Sequence, residues 1–209
     1  MFANAIGAQI RRFEEREHEG RPARVVVAER VYPAEPGDIW SALTDAERIP
    51  RWFMPISGDL RLGGRYQLQG NAGGTITRCD PPRALDVTWE FAGGMSWVIV
   101  RLVAEGAGTR LTLEHVALTD VAQEHWQSFG PGAVGVGWDL ALFGLGLYLA
   151  GDGTAVDHEQ VERWSASPEG KAFMRSSADG WAQAHIAAGE EPAIAQGMAQ
   201  RTAAFYCGE

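Results

Sequence analysis

The chain has 209 residues, 45% of them hydrophobic, and a formal net charge of −9. This length predicts one domain with an extension or two small domains, and the hydrophobic content suffices for a packed core. The acidic balance and the lack of a basic stripe argue against a nucleic-acid partner. Cys79 and Cys207 lie far apart without a CxxC spacing, which indicates free thiols in a reducing cytoplasm.

The N-terminal residues are predicted to form a helix and then a strand. Residues 1–20 place Ile10 and Phe13 on one helical face and end at Gly20, so residues 1–23 are predicted to be an amphipathic N-terminal helix. The β-rich residues 25–32 predict a strand. The DIWSALTD segment and a Thr44–Glu47 capping box then predict two short helices before Pro50.

Residues 58–116 show short alternating segments separated by glycine and proline turns, a pattern typical of an antiparallel meander. The predicted strands are residues 59–62, 65–69, 75–80, 84–91, 97–104 and 109–116. Together with residues 25–32 they make a sheet of about seven strands. In the last of them, His115 shares a face with Leu111 and Leu113 and should point into the core.

Residues 132–150 are the longest apolar run, and they are apolar around nearly the whole helix. We predict a buried helix and not a membrane span, because the run contains Asp139 and five glycines and has no basic flank. Its face through Trp138, Leu142 and Leu145 should meet the sheet. The opposite face should be covered by helices predicted in residues 151–209, where Ser167 and Pro168 are typical of a helix start.

The order of several segments resembles a known superfamily. These are IWSALTDAERIPRWF, DLRLGGRY, CDPPRALDVTWEF, GTRLTLEHVAL and a GW pair at the long apolar helix. They resemble the helix-grip superfamily of START lipid-binding domains, polyketide cyclases and the birch-pollen allergen, and especially the family named for the activator of the ninety-kilodalton heat-shock protein ATPase. The resemblance covers residues 24–150 and implies an α+β fold, in which a curved antiparallel sheet grips the long helix around a ligand cavity.

The large apolar side chains are the candidates for ligand binding in such a cavity, and the alternative for each of them is a place in the core. Trp52 and Phe53 follow a broken helix and should lie near the cavity mouth. The predicted ligand-binding residues are Trp52, Phe53, Trp89, Trp97, Trp138 and Leu142, and Trp40 and Trp126 complete the aromatic set.

His115, Asp139 and Arg101 are the candidate catalytic residues. A buried imidazole can act as acid or base near neutral pH, but a hydrogen-bonded core histidine is the alternative. Asp139 needs a partner, and Arg101, the charge in an otherwise apolar strand, is predicted to supply it as a structural tie or to orient a ligand. The sequence contains no HExxH or CxxC motif, so we predict neither a metal site nor a cofactor.

Three functions are compatible with this sequence. The first is a cytoplasmic protein that binds a hydrophobic or amphipathic small molecule. The second is a polyketide cyclase-like or hydrolase-like enzyme that uses the same cavity. The third is an interaction protein that regulates a chaperone ATPase. We expect no membrane partner. The extension, residues 151–209, could be a lid, a homodimer element or structural cover.

Overall fold

The computed structural model describes residues 9–121, 123–151 and 153–209. In these residues eight strands form one antiparallel sheet in the order β1-β2-β8-β7-β6-β5-β4-β3. The strands are β1 Ile10–His18, β2 Arg21–Tyr32, β3 Ile56–Gly58, β4 Arg65–Leu68, β5 Gly73–Asp80, β6 Ala84–Phe91, β7 Gly94–Glu105 and β8 Gly108–Leu118. The helices are α1 Pro36–Thr44, α2 Gln123–Phe129, α3 Gly132–Ala150, α4 His158–Ala166, α5 Pro168–Ala187 and α6 Pro192–Cys207, with a 3-10 turn at Ile49–Arg51.

The predicted N-terminal helix is wrong where the structure describes it, because residues 10–18 form strand β1. Glu19 and Gly20 both have positive φ, and they make a tight hairpin turn that pairs β1 with β2. Ile10 is exposed and Phe13 is buried, so the pair does not define one helical face. Pairing with β2 therefore outweighed a helical pattern that rested on few apolar residues. Residues 1–8 of the predicted helix lie outside the described residues.

Two smaller predictions around the first helix are also corrected. Thr44 does not open a second helix, because its hydroxyl donates a 2.8 Å hydrogen bond to the carbonyl of Trp40 in the preceding turn. Only a 3-10 turn follows, at Ile49–Arg51. Residues 59–62 form a tight loop and not a strand, and the short strand β3 lies just before them.

The two faces of the sheet have different surroundings. The inner face, which carries Val98, Val100, Leu111 and Leu113, belongs to the same hydrophobic core as α3. The outer face carries a separate apolar cluster that includes Trp97. The chain thus has the predicted α+β helix-grip fold, with a sheet packed around a long helix.

The second apolar face of α3 is covered by the C-terminal helices. Gly135 lies directly against the indole of Trp181 in α5, and Phe143 packs on the rings of Trp164 and Phe173 at 5.3 Å. The Ser167 hydroxyl accepts a hydrogen bond from the Gly170 amide, as expected for the cap that begins α5. By length and composition α3 could cross a membrane, but here it is the core helix.

The exposed faces of the C-terminal helices differ in part from the prediction. Helical spacing in the sequence predicts one packed face through Ile194, Met198, Thr202 and Phe205, and another through Phe173, Trp181, Ala184 and Ala188. Of these, Ile194, Phe205 and Ala188 are exposed. The buried residues of α6 are Ala195, Met198, Ala199, Thr202 and Cys207, so Met198 and Thr202 of the predicted face are packed as expected.

We expect Gly135→Ala to lower the free energy of unfolding by roughly 1–3 kcal/mol, because a Cβ there would overlap the Trp181 ring and force it to move. Gly146→Ala in the same helix is the matched control. Its Cβ would meet the flexible end of Arg30 at 3.4 Å and the Tyr32 ring at 3.5 Å, which are ordinary contact distances. The gain in helix propensity should therefore leave stability unchanged or raise it by up to about 1 kcal/mol. Urea denaturation of both variants measures the difference, and equal stabilities would contradict the close packing of α3 on α5.

Candidate functional site

A cavity of about 140 Å³ lies between the inner face of the sheet and α3. It is half-enclosed, and its walls come from the end of α1, the segment around the 3-10 turn, strands β3 to β8 and one face of α3. The residues at its wall are Leu43, Thr44, Ile49, Trp52, Phe53, Ile56, Leu60, Tyr66, Leu68, Ile76, Cys79, Leu85, Val87, Trp89, Val98, Val100, Leu111, Leu113, Trp138, Ala141 and Leu142. The cavity therefore lies where the helix-grip resemblance implied.

Five of the six predicted ligand-binding residues line this cavity: Trp52, Phe53, Trp89, Trp138 and Leu142. The rings of Trp52 and Phe53 stack with centroids 5.3 Å apart, and those of Trp89 and Trp138 meet edge to face at 5.2 Å. The predictions came from the loop position of the first pair and from the strand and helix periodicity of the others. Aromatic side chains from separate elements thus converge on one apolar space.

Trp97 was predicted to bind ligand, and this is corrected because it lies on the outer face of the sheet. It packs there with Val25 and Val116, on the side away from the cavity. Both faces of β7 are apolar, so the alternation in its sequence does not tell which set of side chains faces α3. Trp126 is also remote from the cavity: it stacks on Phe13 of β1 at 5.1 Å.

Several polar side-chain atoms of the cavity wall are already hydrogen-bonded within the protein, namely those of Thr44, Trp52, Tyr66 and Trp138. The indole N–H of Trp52 donates to the carbonyl of Ala42 at 2.9 Å, and the Tyr66 hydroxyl donates to the carbonyl of Thr88 at 2.8 Å. The Thr44 hydroxyl donates into its own helix. Of the described residues, none that lines the cavity carries a carboxylate, an amine, a guanidinium or an imidazole. The wall therefore offers apolar contact and shape to a ligand, with no charged group.

His115 lies behind the wall in a closed hydrogen-bond chain. The indole N–H of Trp138 donates to Nδ1 of His115 at 2.9 Å, and Nε2 of His115 lies 2.9 Å from the hydroxyl of Ser96. Because Nδ1 accepts, the neutral ring carries its proton on Nε2 and donates to Ser96. The Ser96 hydroxyl in turn donates to the carbonyl of Trp89 at 3.2 Å.

This environment holds His115 in its neutral form. Burial lowers the pKa of His115 to about 4. Both ring nitrogens are hydrogen-bonded and the side chain is buried. The geometry therefore corresponds to a hydrogen-bonded core histidine and not to an acid–base group open to a ligand. Its visible role is to hold the indole of Trp138 in place on the cavity wall.

The predicted pair between Arg101 and Asp139 does not form. Arg101 points from the outer face of β7 and pairs with Asp86 of β6. Asp139 is buried between β1, α3 and α5. It accepts hydrogen bonds from Gln9 and Arg11 on one side and from Ser177 and Trp181 on the other. Burial raises the pKa of Asp139, while Arg11 and the other donors oppose that rise.

The sequence patterns did not identify the partners of Asp139, which are Gln9, Arg11, Ser177 and Trp181. Residues 9 and 11 were assigned to a helix, and nothing in the local pattern of α5 singles out Ser177. None of these residues lines the cavity. Asp139 therefore joins the hairpin to the C-terminal extension and has no visible contact with the candidate site.

The described residues contain no group of three or more His, Cys, Asp or Glu side chains placed to hold a metal ion. Tyr66 and Cys79 are the wall residues with titratable groups, and burial raises the pKa of Tyr66. The candidate site is therefore a largely aromatic and aliphatic cavity without a metal-binding cluster among the described residues.

The comparisons with known proteins agree with this geometry. The sequence model described as "Activator of Hsp90 ATPase homolog 1-like protein" matches residues 33–150. CalU16 from Micromonospora echinospora is 36% identical in both its crystal and its solution NMR structure. The TM-scores are 0.67 and 0.71, and the alignments cover 85% and 87% of this chain and 98% and 97% of CalU16.

A more distant crystal structure, MLL2253 from Mesorhizobium loti, supports the fold alone. It is 23% identical, with a TM-score of 0.54, and the alignment covers 61% of this chain and 97% of that protein. No curated protein sequence matches the chain. The matches to CalU16 extend beyond residues 33–150, so the likeness to that protein takes in part of the flanking sequence as well.

Proposed function

Because this chain belongs to the family of Activator of Hsp90 ATPase homolog 1-like proteins, we propose a function for the apolar cavity between its sheet and its long helix. In this proposal the cavity binds a hydrophobic small molecule. The observation that carries this proposal is the wall itself, which combines aromatic rings from several elements with aliphatic side chains and contains no charged group. Pockets of this composition are the usual sites for small apolar ligands.

The size and chemistry of the cavity define the part of the ligand that enters. An apolar cavity of about 150 Å³ accommodates one benzene-sized ring. A cavity of about 140 Å³ therefore suits a single ring or a short hydrocarbon chain, and the remainder of a larger ligand would extend through the mouth beside Trp52 and Phe53. A buried carboxylate on that inserted part would lose its hydration without gaining a cationic partner from the wall.

Binding is favoured over catalysis in this cavity because the candidate acid–base group is engaged elsewhere. His115 has both ring nitrogens hydrogen-bonded and lies behind Trp138. We place this activity in the cytoplasm, since Cys79 and Cys207 are both free thiols. Stimulation of ATP hydrolysis by a purified chaperone would instead favour the activity for which the family is named.

Titration with N-phenyl-1-naphthylamine, an uncharged aromatic probe, tests the proposal. We expect probe fluorescence to rise and tryptophan fluorescence to change, because Trp52, Trp89 and Trp138 line the cavity. Ala141→Leu fills the cavity from α3 and should weaken binding by roughly tenfold or more, equivalent to about 1.4 kcal/mol. Ala150→Leu makes the same change at an exposed position of the same helix and should leave binding unchanged.

Equal probe affinity in both variants would contradict binding in this cavity. Native mass spectrometry of the protein purified from its own cytoplasm then identifies the natural ligand by its mass. A co-purifying molecule that is lost in Ala141→Leu and retained in Ala150→Leu would assign it to the cavity.

A further inference from the structure

Strand β1 lies at one edge of the sheet, and half of its backbone groups point away from β2. The two-residue turn at Glu19 and Gly20 makes His18 and Arg21 the first hydrogen-bonded pair of the hairpin. Hydrogen-bonded pairs alternate along antiparallel strands, so the even-numbered residues of β1 bond to β2. The N–H and C=O groups of residues 11, 13, 15 and 17 therefore face the edge of the sheet, where no strand from residues 9–121, 123–151 or 153–209 pairs with β1.

The charges of this edge strand are arranged with opposite signs around its centre. Arg11 and Arg12 precede Phe13, and Glu14 and Glu15 follow it. If two copies of β1 pair antiparallel with Phe13 opposite Phe13, Arg12 of each copy faces Glu14 of the other, and Arg11 faces Glu15. Every charged pair in these positions is then attractive, and each occurs twice because of the two-fold symmetry.

The alternative registers lack this property. Centring the pair on Glu14 places Arg12 opposite Arg16 of the other copy and Glu14 opposite itself. Centring it on Arg12 places two arginines face to face. The Phe13-centred register also directs the free backbone groups of residues 11, 13 and 15 toward each other. Hydrogen bonding and charge thus favour the same register.

From this complementarity we propose that β1 is a self-association edge, where a second copy of the chain adds its own β1 and extends the sheet across a two-fold axis. The side chains required on the outer face are accessible, although both are paired within the chain: Arg12, which binds Glu29 of β2, is 46% exposed, and Glu14, 3.5 Å from Arg16, is 40% exposed. Glu15 is 66% exposed. Arg11 is already paired with Asp139 of its own chain, so its contact with Glu15 of the second copy is secondary. The contacts between Arg12 and Glu14 on the outer face therefore determine the register.

Charge reversal and complementation test this proposal. Arg12→Glu and Glu14→Arg each turn two attractive contacts of the dimer into repulsive ones. Each should weaken self-association at least about tenfold in sedimentation velocity. An equimolar mixture of the two variants should form a heterodimer, since every Glu at positions 12 and 14 of one copy faces an Arg of the other. Native mass spectrometry separates this heterodimer by mass.

A proline pair probes the backbone independently of charge. Glu15→Pro removes an outward N–H without breaking a hydrogen bond to β2 and should reduce dimerisation strongly. Glu17→Pro makes the same change near the end of the strand and should reduce it less. A wild-type protein that is monomeric throughout the concentration series overturns the proposal. So does a dimer that is unaffected by these variants, or a mixture of the charge variants that forms no heterodimer.

Discussion

Asp139→Ala is expected to lower the free energy of unfolding by about 3–5 kcal/mol, because it leaves the buried guanidinium of Arg11 without its carboxylate. The Asp139 side chain is 1% exposed and that of Arg11 is 10% exposed, so solvent would hydrate the unpaired guanidinium poorly. The variant also leaves the Ser177 hydroxyl and the Trp181 indole N–H without their acceptor. Urea denaturation at neutral pH measures the loss.

Asp86→Ala is the matched control for this experiment. Asp86 also pairs with an arginine, Arg101, but their side chains are 22% and 34% exposed. Removing a pair that solvent reaches should cost about 0–1 kcal/mol. Similar losses in the two variants would show that the Asp139 cluster does not tie β1 to α3 and α5 in the way its contacts indicate.

Acidification is expected to destabilise the protein through His115. The folded state keeps the ring neutral down to a pKa of about 4, whereas the unfolded chain takes up the proton near pH 6.5. The contribution of His115 to the free energy of unfolding is therefore fully present above pH 6.5 and is lost as the pH falls toward 4. The linkage relation puts that loss at about 3 kcal/mol at pH 4.

His115→Gln isolates this effect from other titrating groups. A glutamine can accept from the Trp138 indole through its amide oxygen and donate to Ser96 through its nitrogen, but it does not titrate in this range. Burial also lowers the pKa of His185, and that residue is retained in both proteins. Unfolding measured at pH 7 and pH 4 should show about 3 kcal/mol less acid destabilisation in His115→Gln. An unchanged pH dependence would contradict the neutral state of the buried ring.

Element boundaries with a local chemical signal could be predicted well. The Ser167–Pro168 helix start coincides with the observed start of α5, and the alternation in residues 84–91 coincides with β6. The limits of α3 also agree with the apolar run. In each case the signal and the structure that it specifies lie within a few residues of one another, so no distant contact was needed.

The first hairpin and the partner of Asp139 could not be predicted in this way. Residues 10–18 contain few apolar side chains, so helical and strand periodicities both fit them, and pairing with β2 decided the outcome. Arg101 was recognisable as an isolated charge, but both faces of β7 are apolar. Which face turns toward α3 depends on packing of the whole sheet, and that packing places Arg101 beside Asp86.

The sequence by itself determined the buried character of α3, because apolar periodicity is a local property of the chain. The order of its motifs, through their resemblance to the helix-grip superfamily, implied the fold and a cavity that most of the predicted aromatic residues line. Only the tertiary structure decided that Trp97 lies on the other face, that His115 is locked behind Trp138, and that β1 forms an edge with self-complementary charge. Those features arise from the relative positions of side chains far apart in sequence, and a cavity is the space that such side chains leave unfilled.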